Sequence, residues 1–514
     1  MLDKCNKKVF LIVFSTPALR EVALKLKGKG VDVVYWQGYR SYFQEVIIKD
    51  KQNFPETVFQ HSYSATANIP PEGINNNDFE PVGSDIVEEL VKSESQIFTM
   101  LGRADYSNSN FAKKRNVYYR YVKYWRGMIK KLKPDAILFP AIPHSAINHT
   151  LYVVAKALGV KTIMLDTLTI PHRTSLLTDY KDGPAGLRES LKDYEGKKYF
   201  LEDLSPDMQD YYQEKLNPDI SKAPDYAKLR KTRRSYMQLP SLSRVIKHLL
   251  RLSFFKPTCR YFNMYFGELN LPNFDGKIRG YVVKLRIRKW LKLNKYLRKE
   301  HETIQVIPDF SKKFVYIPLH YQPESSTCPM GGTFEDQILM IDIVASSIPD
   351  DWVVYVKENP EQWVPANALS YTSRYKGFYE QITRLRNTHM VPIETSTYDL
   401  LDNAQTVATI TGTAAWEAIL RSKPAIVFGY PPFMDCEGVF RVSNFDSCKE
   451  AIDRIVGGYK PDKQKVINFL HALEKHSFIA NGHRSARFKE DKYVTYKDNV
   501  KNIFDAYYQE LMKD

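Results

Sequence analysis

The sequence predicts an α/β protein of two Rossmann-type units with a basic helical segment between them, and three observations predict it. Apolar runs of strand length alternate with helical patterns from Lys8 to Leu165 and again from Phe314 to Phe428, the pattern of parallel sheets covered by helices. Between about Gly183 and Glu300 the strand signals vanish. A chain of 514 residues also exceeds one ordinary core and fits two domains with an added segment. The expected divisions are residues 1–182, a basic insertion over 183–305, a second α/β unit over 306–462 and helices over 463–514.

The first unit opens with strand-like Lys8 to Ser15, a helix over Ala18 to Lys27 and a second strand over Val31 to Trp36. No G-x-G-x-x-G follows the first strand, so a nicotinamide or flavin dinucleotide is not indicated. Residues 50–85 are polar, with Pro55, Pro70, Pro71 and Asn75 to Asn77, and read as a long irregular connection. An aromatic, basic helix follows over Asn110 to Lys131, then a strand over Pro134 to Pro140. The next helix passes Ala155 and Leu158 to Gly159 as its C-cap, and Lys161 to Leu165 is another strand. The second unit begins with Phe314 to Leu319, a helix over Phe334 to Ser347, a strand over Trp352 to Val356 and a short strand near Thr388 to Ile393.

The net charge of +15 is concentrated. Lys228 to Glu300 holds twenty Lys or Arg against three acidic residues, so the rest of the chain is close to neutral. Within it, Arg244 to Phe255 and Val282 to Leu297 interleave Lys and Arg with apolar and aromatic residues, as a helix at an anionic membrane surface does. A solvated helical face gives the same pattern. No nucleic-acid fold signature is present, so nucleic acid is not an expected partner. No apolar run reaches the roughly 18 residues of a membrane span, and Met1 to Phe14 lacks the shape of a secretory signal, so the expected location is the cytoplasm, with peripheral contact to the inner face of the membrane. Five scattered cysteines lack metal-ligand spacing and fit reduced thiols; neither a metal nor a cofactor is expected.

Ala408 to Gly429 holds the strongest functional signal: strand, Thr411-Gly412-Thr413 turn, helix over Ala414 to Leu420, Lys423-Pro424 break and second strand. Such a helix points its N-terminus out of the carboxyl edge of a sheet, where free N–H groups and two hydroxyls can hold a phosphate and Gly412 permits close approach. Glu417, one turn along, suits ribose hydroxyls. An ordinary αβ unit capped by threonine reads the same way. Polar residues also follow other strands, where open α/β sheets bind ligands: His144, Asp166 and Arg173 in the first unit, and His320, Glu324, Lys357 and Asn359 in the second. His144 reads equally as a loop or capping residue, Asp166 as a helix N-cap, and Lys357 as a solvated strand end.

In Pro318 to Thr327, Val356 to Pro360, the T-x-T-A-A-W-E-A shape of Thr409 to Lys423 and the Tyr430 to Gly438 loop, the chain resembles the KpsC/KpsS-type capsule polysaccharide biosynthesis proteins. These are GT-B glycosyltransferases that transfer the acidic sugar Kdo from CMP-Kdo. The resemblance covers Lys312 to about Val442 well and the first half loosely. It implies a GT-B-like fold, two Rossmann-type domains facing a cleft, with the acceptor on the first domain and a nucleotide sugar on the second. The family's nucleophilic Asp sits in an acidic-glycine-basic setting; Asp166 takes the comparable place, with Thr167 in the glycine's position and Arg173 beyond. The family's Lys-Pro-His-Pro is Lys357-Glu358-Asn359-Pro360 here.

The resemblance and the residues together give an expected metal-independent glycosyltransferase. Thr411, Gly412, Thr413, Lys357, Asn359 and Glu417 would hold the nucleotide sugar, with Arg173 and His144 as further binding residues. Asp166, Glu324 and His320 would serve the chemistry, with a glycan or glycolipid as acceptor. Two other readings fit the same sequence: a polyol phosphotransferase using a CDP-activated donor, and a non-catalytic basic scaffold binding anionic lipid or nucleic acid.

Overall fold

A computed structural model describes residues 7–39, 43, 49–104, 110–216, 292–322, 324–363, 373–481 and 492–513. In the first unit they form β1 (Lys8–Ile12), α1 (Pro17–Gly28), β2 (Asp32–Gly38), β3 (Val58–His61), α2 (Ser62–Thr66), α3 (Ser84–Leu90), α4 (Glu94–Ala104), α5 (Phe111–Leu132), β4 (Ala136–Phe139), α6 (Ala146–Ala157), β5 (Lys161–Thr167) and β6 (Arg173–Leu177). Helices α7 (Leu187–Asp193), α8 (Pro206–Leu216) and α9 (residues 292–304) come next. The second unit holds β7 (Phe314–Pro318), α10 (Gln337–Ser347), β8 (Val353–Lys357), α11 (Phe378–Thr383), β9 (Thr388–Met390), α12 (Thr397–Asn403), β10 (Thr406–Thr409), α13 (Thr413–Leu420), β11 (Ala425–Val427), β12 (Val439–Arg441) and α14 (Phe445–Val456). Helix α15 (Lys463–Lys475), β13 (Phe478–Ile479) and α16 (Tyr496–Leu511) close the chain.

The strands make two sheets, ordered β13-β6-β5-β4-β1-β2-β3 and β12-β11-β10-β7-β8-β9. In the second, every pairing is parallel; in the first, β1 to β5 are parallel while β6 and β13 add antiparallel. Two Rossmann-type units are therefore present, each with apolar strand side chains alternating between two helical layers. In the first sheet Val9 and Leu11 face α1 and α16, while Phe10 and Ile12 face α5 and α6. In the second, α10, α11 and α14 cover one face and α12 and α13 the other.

Several boundaries differ from the sequence reading. Val58–His61 inside the expected irregular connection is a parallel edge strand, whose half-buried, mixed residues carry no clear alternation. The tail is not a separate helical appendage: β13 pairs with β6, and α16 packs on α1. Helix α9, at the end of the expected insertion, belongs with the second unit. Leu297 is in that unit's core, and the Glu300 carboxylate accepts the amides of Gly377, Tyr379 and Glu380 at the start of α11. Arg244 to Phe255, and Val282 to Leu297 up to residue 291, lie outside the described residues, as do Cys5 and Cys259; Cys328, Cys436 and Cys448 are buried and form no disulfide. No helix among the described residues is long and apolar enough to cross a membrane.

The units meet through named contacts. Ser95 and Thr99 of α4 donate to Glu335 at 2.8 and 3.0 Å, and Gln96 donates to the Pro329 carbonyl at 2.9 Å. Leu168 and Ile170, in the turn after β5, share one apolar cluster with Ala415, Trp416 and Ile419 of α13. The turn after β5 and α13 thus belong to one apolar cluster.

Candidate functional site

The turn before α13 is held from beneath by His320. This residue follows β7 and is nearly buried; its Nε2 lies 2.9 Å from the Thr409 hydroxyl and accepts the Thr411 amide at 3.3 Å. Thr409 Oγ1 in turn accepts the Gly412 amide at 3.2 Å, and the Thr411 hydroxyl donates to the Ser326 carbonyl at 2.7 Å. A Cβ at Gly412 would stand 2.7 Å from Thr409 Oγ1, so the clamp requires glycine by space, not by backbone angle. An Nε2 that accepts an amide must be unprotonated. Burial, and next the Arg374 guanidinium, push the His320 pKa down to about 4, in keeping with that role.

Two donors expected to bind phosphate, the amides of Thr411 and Gly412, are thus used inside the protein. The available ones lie one residue further on. Gly412 is the N-cap of α13 and no side chain caps the helix, so the Thr413 and Ala414 amides have no partner among the described residues; Thr413 is exposed. Side chains cap α1 through Thr16 and α5 through Asn110, whereas α3, α6 and α7 lack a side-chain cap as α13 does; α13 is distinguished from these by its place after β10 in the all-parallel sheet.

Behind His320 lies a polar network that sequence reasoning missed. Arg374 and Glu358, both almost wholly buried, pair in a bidentate fashion at 2.8 and 3.1 Å. Tyr379 donates to the same carboxylate at 2.7 Å. Arg374 also donates to the His320 carbonyl and to Gln322, while Gln337 accepts the His320 amide at 2.7 Å. The position where the family carries a proline, Glu358, is therefore the anchor of this loop. A carboxylate directly after a buried strand was the available signal; Arg374, in an irregular stretch, gave none.

The remaining expected residues divide. Lys357 ends β8 and gives two hydrogen bonds, to the Thr395 carbonyl at 2.5 Å and the Thr397 hydroxyl at 3.0 Å, leaving one ammonium proton. Burial lowers its pKa, opposed by Glu394. Asn359 accepts the Glu361 amide and shapes a turn. Glu417 is paired with Lys215 of α8 at 3.2 Å, both side chains mostly buried, a contact that ties the helical segment to α13. Glu324 is half-buried in the loop after β7, and its carbonyl accepts the amides of Thr327 and Cys328.

In the first unit, Asp166 is not a helix N-cap. Its strand continues to Thr167 and turns into antiparallel β6, with Asp166 opposite Ser175. It is half-buried, two residues before the Leu168 that touches the α13 cluster. Arg173 does not face this site. It is 4 % exposed, chelates Asp207 at 2.6 and 3.0 Å, and reaches Glu474 at 3.1 Å, so its donors serve a buried ion cluster joining β6, α8 and α15. The expectation of a substrate-binding Arg173 is corrected accordingly. His144 is exposed after β4, with Nδ1 2.9 Å from the Ile142 carbonyl. Among the described residues no three His, Cys, Asp or Glu side chains are grouped to hold a metal.

Comparison with known proteins bears on the second unit. Residues 268–456 match the family of capsule polysaccharide biosynthesis proteins, the family that the sequence resembles. No curated protein sequence matches the chain. Among solved structures, the chain is similar to the β-Kdo 2,7-transferase of Thermosulfurimonas dismutans KpsC, at 10% identity, covering 77% of this chain and 97% of that one, with a TM-score of 0.28. The β-Kdo 2,4-transferase of the same KpsC matches at 12% identity over 66% and 87%, TM-score 0.23. UDP-GlcNAc 2-epimerase from Methanocaldococcus jannaschii matches at 10% over 91% and 98%, TM-score 0.24. At these scores the likenesses carry nothing about chemistry, and the family match and the site's own geometry remain.

Proposed function

We propose that the chain is a glycosyltransferase of capsule or related surface polysaccharide synthesis, taking its sugar from a nucleotide-activated donor and passing it to a glycan or glycolipid acceptor. The observation that carries this is the uncapped N-terminus of α13, at the carboxyl edge of a parallel sheet, in a segment that matches capsule biosynthesis proteins.

Donor cleavage builds negative charge on the leaving phosphate. The Thr413 and Ala414 amides, the Thr413 hydroxyl and the remaining Lys357 proton would stabilise it, already oriented before the reaction and without a metal ion. Thr411, Gly412 and His320 act one step back, as positioning residues that fix the turn. Glu417 would accept from ribose hydroxyls, exchanging its bond to Lys215 for them. Asp166, two residues before the Leu168 that shares a cluster with α13, would attack the anomeric carbon or take the proton of the acceptor hydroxyl; Glu324 is the second carboxylate for the latter role. The Lys and Arg excess of residues 228–291, ahead of α9, would favour an anionic membrane surface near a lipid-linked acceptor.

The test is nucleotide release from CMP-, UDP- and GDP-sugars with glycan and glycolipid acceptors, wild type against Asp166→Asn. Acceptor-dependent release that falls at least a hundredfold in Asp166→Asn, with donor binding kept, supports the reading. Turnover of CDP-glycerol or CDP-ribitol in place of every nucleotide sugar would replace it with phosphotransfer.

A further inference from the structure

On the other face of the second sheet from α13, a groove of ≈ 410 Å³ opens at the carboxyl edge, between the N-terminal ends of α10 and α14. Its size falls within the range of about 300–1,000 Å³ usual for small-molecule sites. Phe334, Phe428, Tyr430 and Phe445 provide its aromatic lining, and Arg441 and Asn444 its polar edge. Phe334 and Phe428 meet edge to face at 4.8 Å and form a fixed floor, while Phe445 is 46% exposed. The groove shares a wall with the turn before α13. A Cβ at Gly429 would stand 2.7 Å from the Thr411 methyl group, and the next residue, Tyr430, is held by its amide on the Met330 carbonyl.

Arg441 gives the groove its character. It is exposed, and its guanidinium lies 5.0 Å from the Tyr430 ring centroid, with Nη1 near Met434 Sδ. Among the described residues no carboxylate pairs with it, whereas Arg173 and Arg374 are each saturated by acidic partners. A guanidinium over an aromatic ring, with one Nη directed at a thioether, still has N–H groups to offer a planar anion.

We propose that this groove is a second carbohydrate site, taking an anionic sugar residue of the acceptor glycan with its ring against Tyr430 and Phe445 and its anionic group on Arg441. The assignment rests on the transferase reading for the word acceptor, and on the groove alone for the anionic sugar. A sugar acid and a sugar phosphate offer the guanidinium the same chemistry, so both are test arms.

The experiment is ligand-observed NMR titration of the full chain with Kdo, glucuronate, glucose 1-phosphate and glucose, on wild type, Arg441→Gln and Phe445→Ala, alongside nucleotide-induced thermal shifts. Binding of an anionic sugar but not glucose is expected, weakened roughly ten- to a hundredfold in Arg441→Gln and also weakened in Phe445→Ala, with nucleotide shifts unchanged in both. Which arm binds identifies carboxylate or phosphate. Equal binding of glucose, undiminished binding to Arg441→Gln, or no anionic sugar bound at all overturns the proposal. Loss of the nucleotide shift in Arg441→Gln also overturns it, since the groove would then be part of the donor site. Arg441-dependent sugar binding without any nucleotide shift in wild type would instead leave the groove standing and remove the transferase reading.

Discussion

Replacing His320 by alanine removes the acceptor that holds Thr411 and Thr409, residues that are 8% and 0% exposed. Each donor left without a partner costs about 1–3 kcal/mol, and the lost imidazole volume adds to it, so a loss of about 3–5 kcal/mol is expected. His320→Gln, which can place an oxygen near the Nε2 position, should recover more than half of that. The pH dependence is the sharper readout. His320 has a pKa near 4 in the folded protein against an ordinary 6.5, because the buried ring must stay neutral. The unfolded chain therefore binds the proton first, so stability is complete above about pH 6.5 and is lost as pH falls toward 4. At about 1.4 kcal/mol per pH unit, His320 alone contributes about 3 kcal/mol to that loss. His61, His301, His389 and His476 shift in the same direction, so the measurement must be a difference. Urea unfolding of wild type and His320→Gln, compared between about pH 4.5 and 7.5, should show a shallower slope in the variant. Equal slopes, or an alanine variant as stable as wild type, would refute the clamp.

The other predictions concern single contacts. Gly412→Ala should keep the fold, since the residue has an ordinary negative φ, but push on Thr409 Oγ1 and weaken nucleotide binding at least tenfold, as read by calorimetry. Glu358→Gln should destabilise by about 3–5 kcal/mol in urea unfolding, because Arg374 is left buried and unpaired. Arg173→Met should destabilise similarly at neutral pH while any folded fraction keeps its nucleotide affinity, which separates a structural ion cluster from a binding residue. Glu417→Gln should reduce discrimination between ribo- and deoxyribonucleotides in competition binding, with little change for pyrophosphate.

The fold was legible wherever a strand is buried on both faces: β1, β4, β5, β7, β8 and β11 are near-continuous apolar runs, which need no partner to be recognised. Edge strands such as Val58–His61 and the two-residue Phe478–Ile479 were not, because their residues are half-buried and mixed. The turn at Thr411 was legible as a helix start at a strand end. The residue that shapes it was legible only as a polar residue after a strand: His320 reaches Thr409 and Thr411 across 89 and 91 positions, and nothing local announces that bond. Arg173 was misread for the same reason, since Asp207 and Glu474 lie 34 and 301 positions away. Residue type and strand-end position told which groups gather at the carboxyl edges; which of them the protein uses for itself depends on long-range partners.

The most direct measurement is a thermal-shift titration of wild type, Gly412→Ala and Glu417→Ala with CMP, CDP, UDP and GDP, with and without EDTA. A nucleotide at about 100 times its dissociation constant stabilises the folded protein by about 2.7 kcal/mol, well within reach of the method. A shift with one base that survives EDTA and is lost in both variants is the predicted result. No shift with any nucleotide, or a shift unaltered in both variants, would contradict the assignment of the α13 turn as the donor site.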